Sequence, residues 1–66
     1  MNFGIAFDGI FDGHKASRLG WGDHIGSDYI YNFNGYLTKR TESNRVQVYR
    51  MTEEDILAED WFVIED

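Results

Sequence analysis

Apolar positions change their spacing as the chain proceeds, and each change marks an element. Near the N-terminus Phe3, Phe7, Ile10 and Phe11 recur at three- and four-residue intervals. Ala6 falls on the same side, and Asp8 and Asp12 fall on the wet side. This spacing predicts a helix with an apolar face, capped by Asn2 and ended by Gly13 in a left-handed turn. Gly4 and Gly9 each weaken such a helix by up to about 1 kcal/mol relative to alanine, so docking must hold it. From His14 to Leu19 the period drops to two and predicts a short strand. Gly20-Trp21-Gly22 follows, and residues 22–28 are turn-rich and read as a loop.

The strongest local signal comes next. Tyr29-Ile30-Tyr31-Asn32-Phe33 and Tyr36-Leu37-Thr38-Lys39-Arg40 are two β-prone runs on either side of Asn34-Gly35. That dipeptide favours a type I′ hairpin turn. Thr41-Glu42-Ser43-Asn44 predicts a further turn, and Arg45 to Met51 alternates again as a third sheet strand. Of its two faces only Val46/Val48 is wholly apolar, which assigns those valines to the core and turns Tyr49 away from it. Thr52-Glu53-Glu54-Asp55 has the form of a capping box and opens a short helical turn through about Glu59. Trp61 to Ile64 makes a terminal strand. The expected fold class is α+β: one domain over residues 1–66, its N-terminal helix packed on a small antiparallel sheet of about four to five strands, with a short helical turn before the last strand.

A chain of 66 residues buries only a modest core, and its stability commonly depends on disulfides, a metal or self-association. The chain has no cysteine, which removes disulfides, thiolate metal sites and thiol nucleophiles. Its two histidines are too few for a histidine-only metal site. No apolar run approaches the roughly 20 residues of a membrane span, and the opening does not read as a leader. A soluble cytosolic protein that self-associates is therefore expected, with no cofactor and no membrane partner.

Five phenylalanines, four tyrosines and two tryptophans are many for so small an interior. Some of these rings must line a groove or an interface. The formal charge of −6 argues against binding long nucleic acids. The charge is uneven, however. Residues 51–66 hold acids and no base, whereas Lys15, Arg18, Lys39, Arg40, Arg45 and Arg50 make the middle positive. A positive middle in a negative chain can receive a small anion.

Candidate catalytic groups are weak. Asp23-His24 with Asp28 has no motif behind it and reads as a solvated loop. The acids at 53–55 and 59–60 lack the spacing of a calcium loop. Gly20-x-Gly22 opens no helix and is not a nucleotide fingerprint. An enzyme is not expected. What remains is aromatic and cationic: Trp21 in its glycine frame, Tyr49, Phe3, and the basic middle. Rings that stack a base beside arginines that fork onto phosphate are what a nucleotide pocket needs. A core or dimer-interface anchor accounts for Trp21 equally well.

Several stretches together resemble one family. Met1-Asn2-Phe3-Gly4-x-Ala6, then Gly13-x-Lys15-Ala16-x-Arg18-x-Gly20-Trp21, resemble the opening of the Thoeris anti-defence sponge proteins of the second type. Asp55-Ile56-Leu57-Ala58-Glu59-Asp60-Trp61-Phe62-Val63 is similar to that family's closing motif. The resemblance implies a small, non-enzymatic phage protein acting in the cytoplasm of the infected bacterial host. It implies a homotetramer (a dimer of dimers) that encloses a cyclic nucleotide-like signal at subunit interfaces. The signals are glycocyclic ADP-ribose isomers and, for some members, cyclic oligonucleotides; sequestration without degradation blocks the defence. Carried over by position, Phe3 and Trp21 fall on pocket aromatics. Val48-Tyr49 stands where the family has Pro-Trp, so Tyr49 becomes the second stacking ring. Leu37 supplies an apolar wall, and Thr52 and Asp55 offer ribose or base-edge contacts. Arg18, from the basic middle, joins the candidate ligand-binding residues, and which arginine meets phosphate is left open. Glu53 and Glu54 depart from the family, which has neutral polar residues there. An alternative reading is a small acidic inhibitor of a host protein, with the carboxylates of residues 53–66 imitating nucleic acid.

Overall fold

The computed structural model of the chain describes residues 1–21 and 27–64. Gly22, the Asp23-His24 pair and the last two acids lie outside the described residues. Helix α1 spans Phe3–Phe11, with the Asn2 side chain accepting from the Ile5 amide at 3.0 Å. Its end is a Schellman turn. Gly13 has φ +92°, its amide donates to the Ile10 carbonyl at 3.1 Å, and the His14 amide donates to the Gly9 carbonyl at 2.9 Å.

Five strands follow: β1 Lys15–Arg18, β2 Tyr29–Phe33, β3 Tyr36–Arg40, β4 Val46–Val48 and, after helix α2 (Glu53–Leu57), β5 Trp61–Ile64. They form one antiparallel sheet in the order β4-β3-β2-β1-β5. The fold is α+β, as the pattern predicts. Asn34 (φ 52°) and Gly35 (φ 85°) form the primed hairpin turn, which sets Phe33 opposite Tyr36 and Ile30 opposite Lys39. Thr52 caps α2 in a full capping box with Asp55. The first and last elements are tied together. The N-terminal ammonium donates to the carbonyls of Glu59 and Trp61 at 3.2 and 3.0 Å.

The core lies between α1 and one sheet face. It consists of Ala6, Ile10, Ala16, Ile30 and Trp61, with Phe3, Phe7, Trp21, Leu37, Tyr49, Met51 and Ala58 half-buried around it. Small residues let the helix come close: a Cβ on Gly9 would stand 2.9 Å from a Val63 methyl.

Two sequence expectations are corrected. Phe11 is 69% exposed, because Ala6 and Ile10 take the centre of the helix contact and Phe11 lies edge-on to Phe7 beyond it. Val46 and Val48 are exposed rather than core. Their partners Arg40 and Thr38 share their face, whereas Gln47 opposite Lys39 points to the helix side. The alternation is real, but the apolar face of β4 is the outer one, and Tyr49 packs on the core.

Among the described residues no helix lies on the outer face of the sheet. By register that face carries Tyr29, Tyr31, Phe33, Tyr36, Val46, Val48, Phe62 and Ile64. Phe33, Tyr36, Val46 and Val48 are each more than half exposed. No helix among the described residues is long and apolar enough to cross a membrane.

Candidate ligand-binding site

Helix α1 covers the sheet over β5, β1 and β2. Farther along the inner face, Trp21 and Tyr49 lie over Lys39 of β3. Trp21 follows β1, its amide held by the Arg18 carbonyl at 3.1 Å. Tyr49 continues past β4, its amide donating to the Leu37 carbonyl at 2.9 Å. The two rings meet edge to face, with centroids 5.8 Å apart and planes at 70°. Trp21 also meets Trp61 at 5.2 Å and 77°, and Trp61 meets Phe3 at 5.5 Å. Phe3, Trp61, Trp21 and Tyr49 thus form one ladder of rings. Trp61 is 2% exposed and anchors it, while the other three remain half-buried.

A polar grid holds the far side of this ladder. Arg18 donates from Nη1 to Asp55 Oδ1 at 2.8 Å and from Nε to Asp60 Oδ1 at 2.7 Å. Asp60 Oδ2 accepts from the Gly20 amide at 3.1 Å, which fixes the residue before Trp21. Asp55 Oδ2 accepts from the Tyr49 hydroxyl and from the Thr52 amide. The Trp61 indole donates to the Asp55 carbonyl at 2.8 Å. Trp21, Tyr49 and the buried Trp61 are therefore positioned through Asp55 or Asp60, whereas Phe3 is placed by α1.

The charges follow from this geometry. Burial pushes the Asp55 carboxyl up, but hydrogen bonds from Tyr49, Arg18 and Thr52 outweigh it and leave the group below the usual carboxylate range. The Arg18 hydrogen bond holds Asp60 low as well. Burial, then the Asp55 hydrogen bond and charge, push the Tyr49 hydroxyl up to about 12. Tyr49 is thus a fixed donor at neutral pH, and both acids are fixed anions matched by Arg18.

Six of the seven sequence-nominated residues fall into two groups. Phe3, Trp21 and Tyr49 present ring surface. Arg18, Thr52 and Asp55 form the grid beneath them, their polar atoms bonded within the protein; the Thr52 hydroxyl, for example, accepts from the Asp55 amide at 3.2 Å. Leu37 stands apart from the rings. It lines an apolar groove of about 160 Å³ with Phe7, Ile10, Phe11, Asn32 and Gly35. Sequence reasoning passed over Asp60 and Trp61 as site residues, and it left Lys39 undistinguished among the basic residues. The hairpin register was the signal for Lys39, since a two-residue turn at Asn34-Gly35 places it opposite core residue Ile30.

The family model of the Thoeris anti-defense 2-like domain matches residues 1–64. The chain belongs to this family. A curated relative, Thoeris anti-defense 2 of Bacillus phage SP01, is 25% identical over 84 residues, covering 97% of this chain and 94% of its own. Membership in the family supports a phage anti-Thoeris role for the protein.

Proposed function

We propose that this protein is a sponge: it binds a cyclic nucleotide-like signal, a glycocyclic ADP-ribose isomer, and withholds it from the bacterial defence without degrading it. The observation that carries this reading is the half-buried Trp21–Tyr49 pair, held rigid by the Asp55 and Asp60 grid. A ring stacked on a base contributes ~1–3 kcal/mol. Each charge-assisted phosphate contact adds roughly 1.5–3 kcal/mol. Nanomolar capture needs about −12 kcal/mol, so two rings, two phosphate contacts and a preformed site approach it.

One copy presents too little surface to wrap such a ligand. The uncovered outer sheet face, with Phe33, Tyr36, Val46 and Val48 exposed, is a surface on which copies can pair. In this reading the protein works as a homotetramer, a dimer of dimers, with each pocket completed by a neighbour, in the cytoplasm of the infected host. Binding rather than catalysis fits the site's carboxylates. Asp55 and Asp60 are ion-paired and held below the ordinary range, which makes them poor proton acceptors near neutrality.

The test is direct. The protein is mixed with the signal at equimolar ratio and filtered, and the filtrate is chromatographed before and after heating the retained fraction. Intact signal released only by heat supports the sponge. Signal left free in the first filtrate refutes it, and a cleaved product makes the protein an enzyme. The acidic-inhibitor alternative predicts instead a host protein recovered with salt-sensitive binding, lost when Glu53 and Glu54 are reversed in charge.

A further inference from the structure

The cation that the ring site presents is a lysine. Lys39 Nζ lies 4.1 Å from the Trp21 ring centroid and 4.9 Å from that of Tyr49. It stands in the middle of β3, on the helix side of the sheet, opposite the fully buried Ile30. An aliphatic residue would complete a plain core there. A lysine instead lays its methylene stem along the sheet and brings its charge up against the rings. Among the described residues no carboxylate pairs with its ammonium. Arg18, the basic residue the sequence nominates for ligand binding, differs in this respect: two of its nitrogens already bond Asp55 and Asp60, and its side chain is 14% exposed.

Cation–ring attraction is weaker than the attraction between an ammonium and a phosphate. The lysine stem is flexible, whereas the rings are fixed by the grid. A base stacking on Trp21 would compete with the ammonium for the ring, and the phosphates joined to that base would offer it a stronger partner. Resting on the sponge reading, we propose that Lys39 is the phosphate-contacting residue of this site, its ammonium moving from the Trp21 face onto the diphosphate of a nucleotide whose base takes that face. Arg18 is then a positioning residue that holds the rings through Asp55 and Asp60.

Titration calorimetry on the whole protein tests this, with a panel of cyclic ADP-ribose isomers and with adenosine as the phosphate-free probe. Lys39→Gln is expected to weaken the bound isomer about 10- to 100-fold and to flatten the salt dependence of its affinity. Adenosine binding should be unchanged or tighter, because the ring face is cleared. Lys39→Arg should keep most of the isomer affinity, and circular dichroism should show both variants folded. An isomer affinity within about twofold of wild type in Lys39→Gln overturns the assignment while leaving the sponge standing. An equal loss for isomer and adenosine overturns it too, since a structural role would do that. A wild-type protein that binds no member of the panel removes the sponge reading and this inference together.

Discussion

The Tyr49 hydroxyl donates to the Asp55 carboxylate, which also receives Arg18 from the opposite side. The acid that caps α2 is therefore the acid that orients the second ring of the site. Tyr49→Phe keeps the ring and removes its tether. Asp55 Oδ2 then retains only the Thr52 amide at 3.4 Å. Stability is expected to fall by about 1–2 kcal/mol in a denaturant titration, and ligand affinity to fall less than in Tyr49→Ala.

The two tryptophans should separate. Trp61→Ala opens a cavity at a residue 2% exposed and is expected to cost about 3–5 kcal/mol, enough to unfold so small a domain. Trp21→Ala removes a half-buried ring at the margin and should cost less than about 2 kcal/mol, while abolishing ligand binding. Thermal melts and binding assays on both variants distinguish these outcomes. A Trp21→Ala protein that unfolds would assign Trp21 to the core instead.

Gly9 is a spacer between helix and sheet. In an isolated helix Gly9→Ala would stabilise by up to about 1 kcal/mol. Here the new methyl meets Val63 at 2.9 Å, and overpacking costs about 1–3 kcal/mol, so a lower melting temperature is expected. In a Val63→Ala background the same change should become neutral or stabilising. An additive double-mutant cycle would contradict the contact.

Acid should loosen the grid. Asp55 and Asp60 have folded pKa values below their unfolded values of about 4. Their contribution is present above that unfolded value and is lost as pH falls through the depressed folded values. The melting temperature is expected to drop as pH falls below about 4, and to drop less steeply in Asp60→Asn, measured by circular dichroism at constant ionic strength. At the alkaline end the sign reverses. The raised Tyr49 pKa stabilises below the usual phenol value near 10, and that contribution is lost as pH rises through about 12.

The outer sheet face should govern assembly. Val48 is 67% exposed on the edge strand, so Val48→Lys is expected to change the stability of one copy by less than about 0.5 kcal/mol. Together with Phe33→Asp it should convert the sedimenting species to a smaller one. A wild-type chain that sediments as a folded single copy would refute assembly on this face.

Local signals in the sequence settled the architecture because each element carries its own punctuation. Asn2 and Gly13 bound the first helix, Asn34-Gly35 sets the hairpin and its register, and Thr52 with Asp55 starts the second helix. These are short-range effects of backbone geometry and capping, and they act wherever the chain lies in space. Trp21 between two glycines was also unusual enough to mark, although Asp60 and Trp61 beside it were not.

Only the tertiary structure decided which side of β4 faces the helix. Alternation separates Val46 and Val48 from Tyr49 but cannot say which set is covered, and in this protein the apolar pair is the one left outside. It also decided that Arg18 is held between Asp55 and Asp60, residues 37 and 42 positions away, and that Lys39 lies against two rings from other parts of the chain. Such pairings depend on how the helix docks and which strands meet, and no local pattern carries that information.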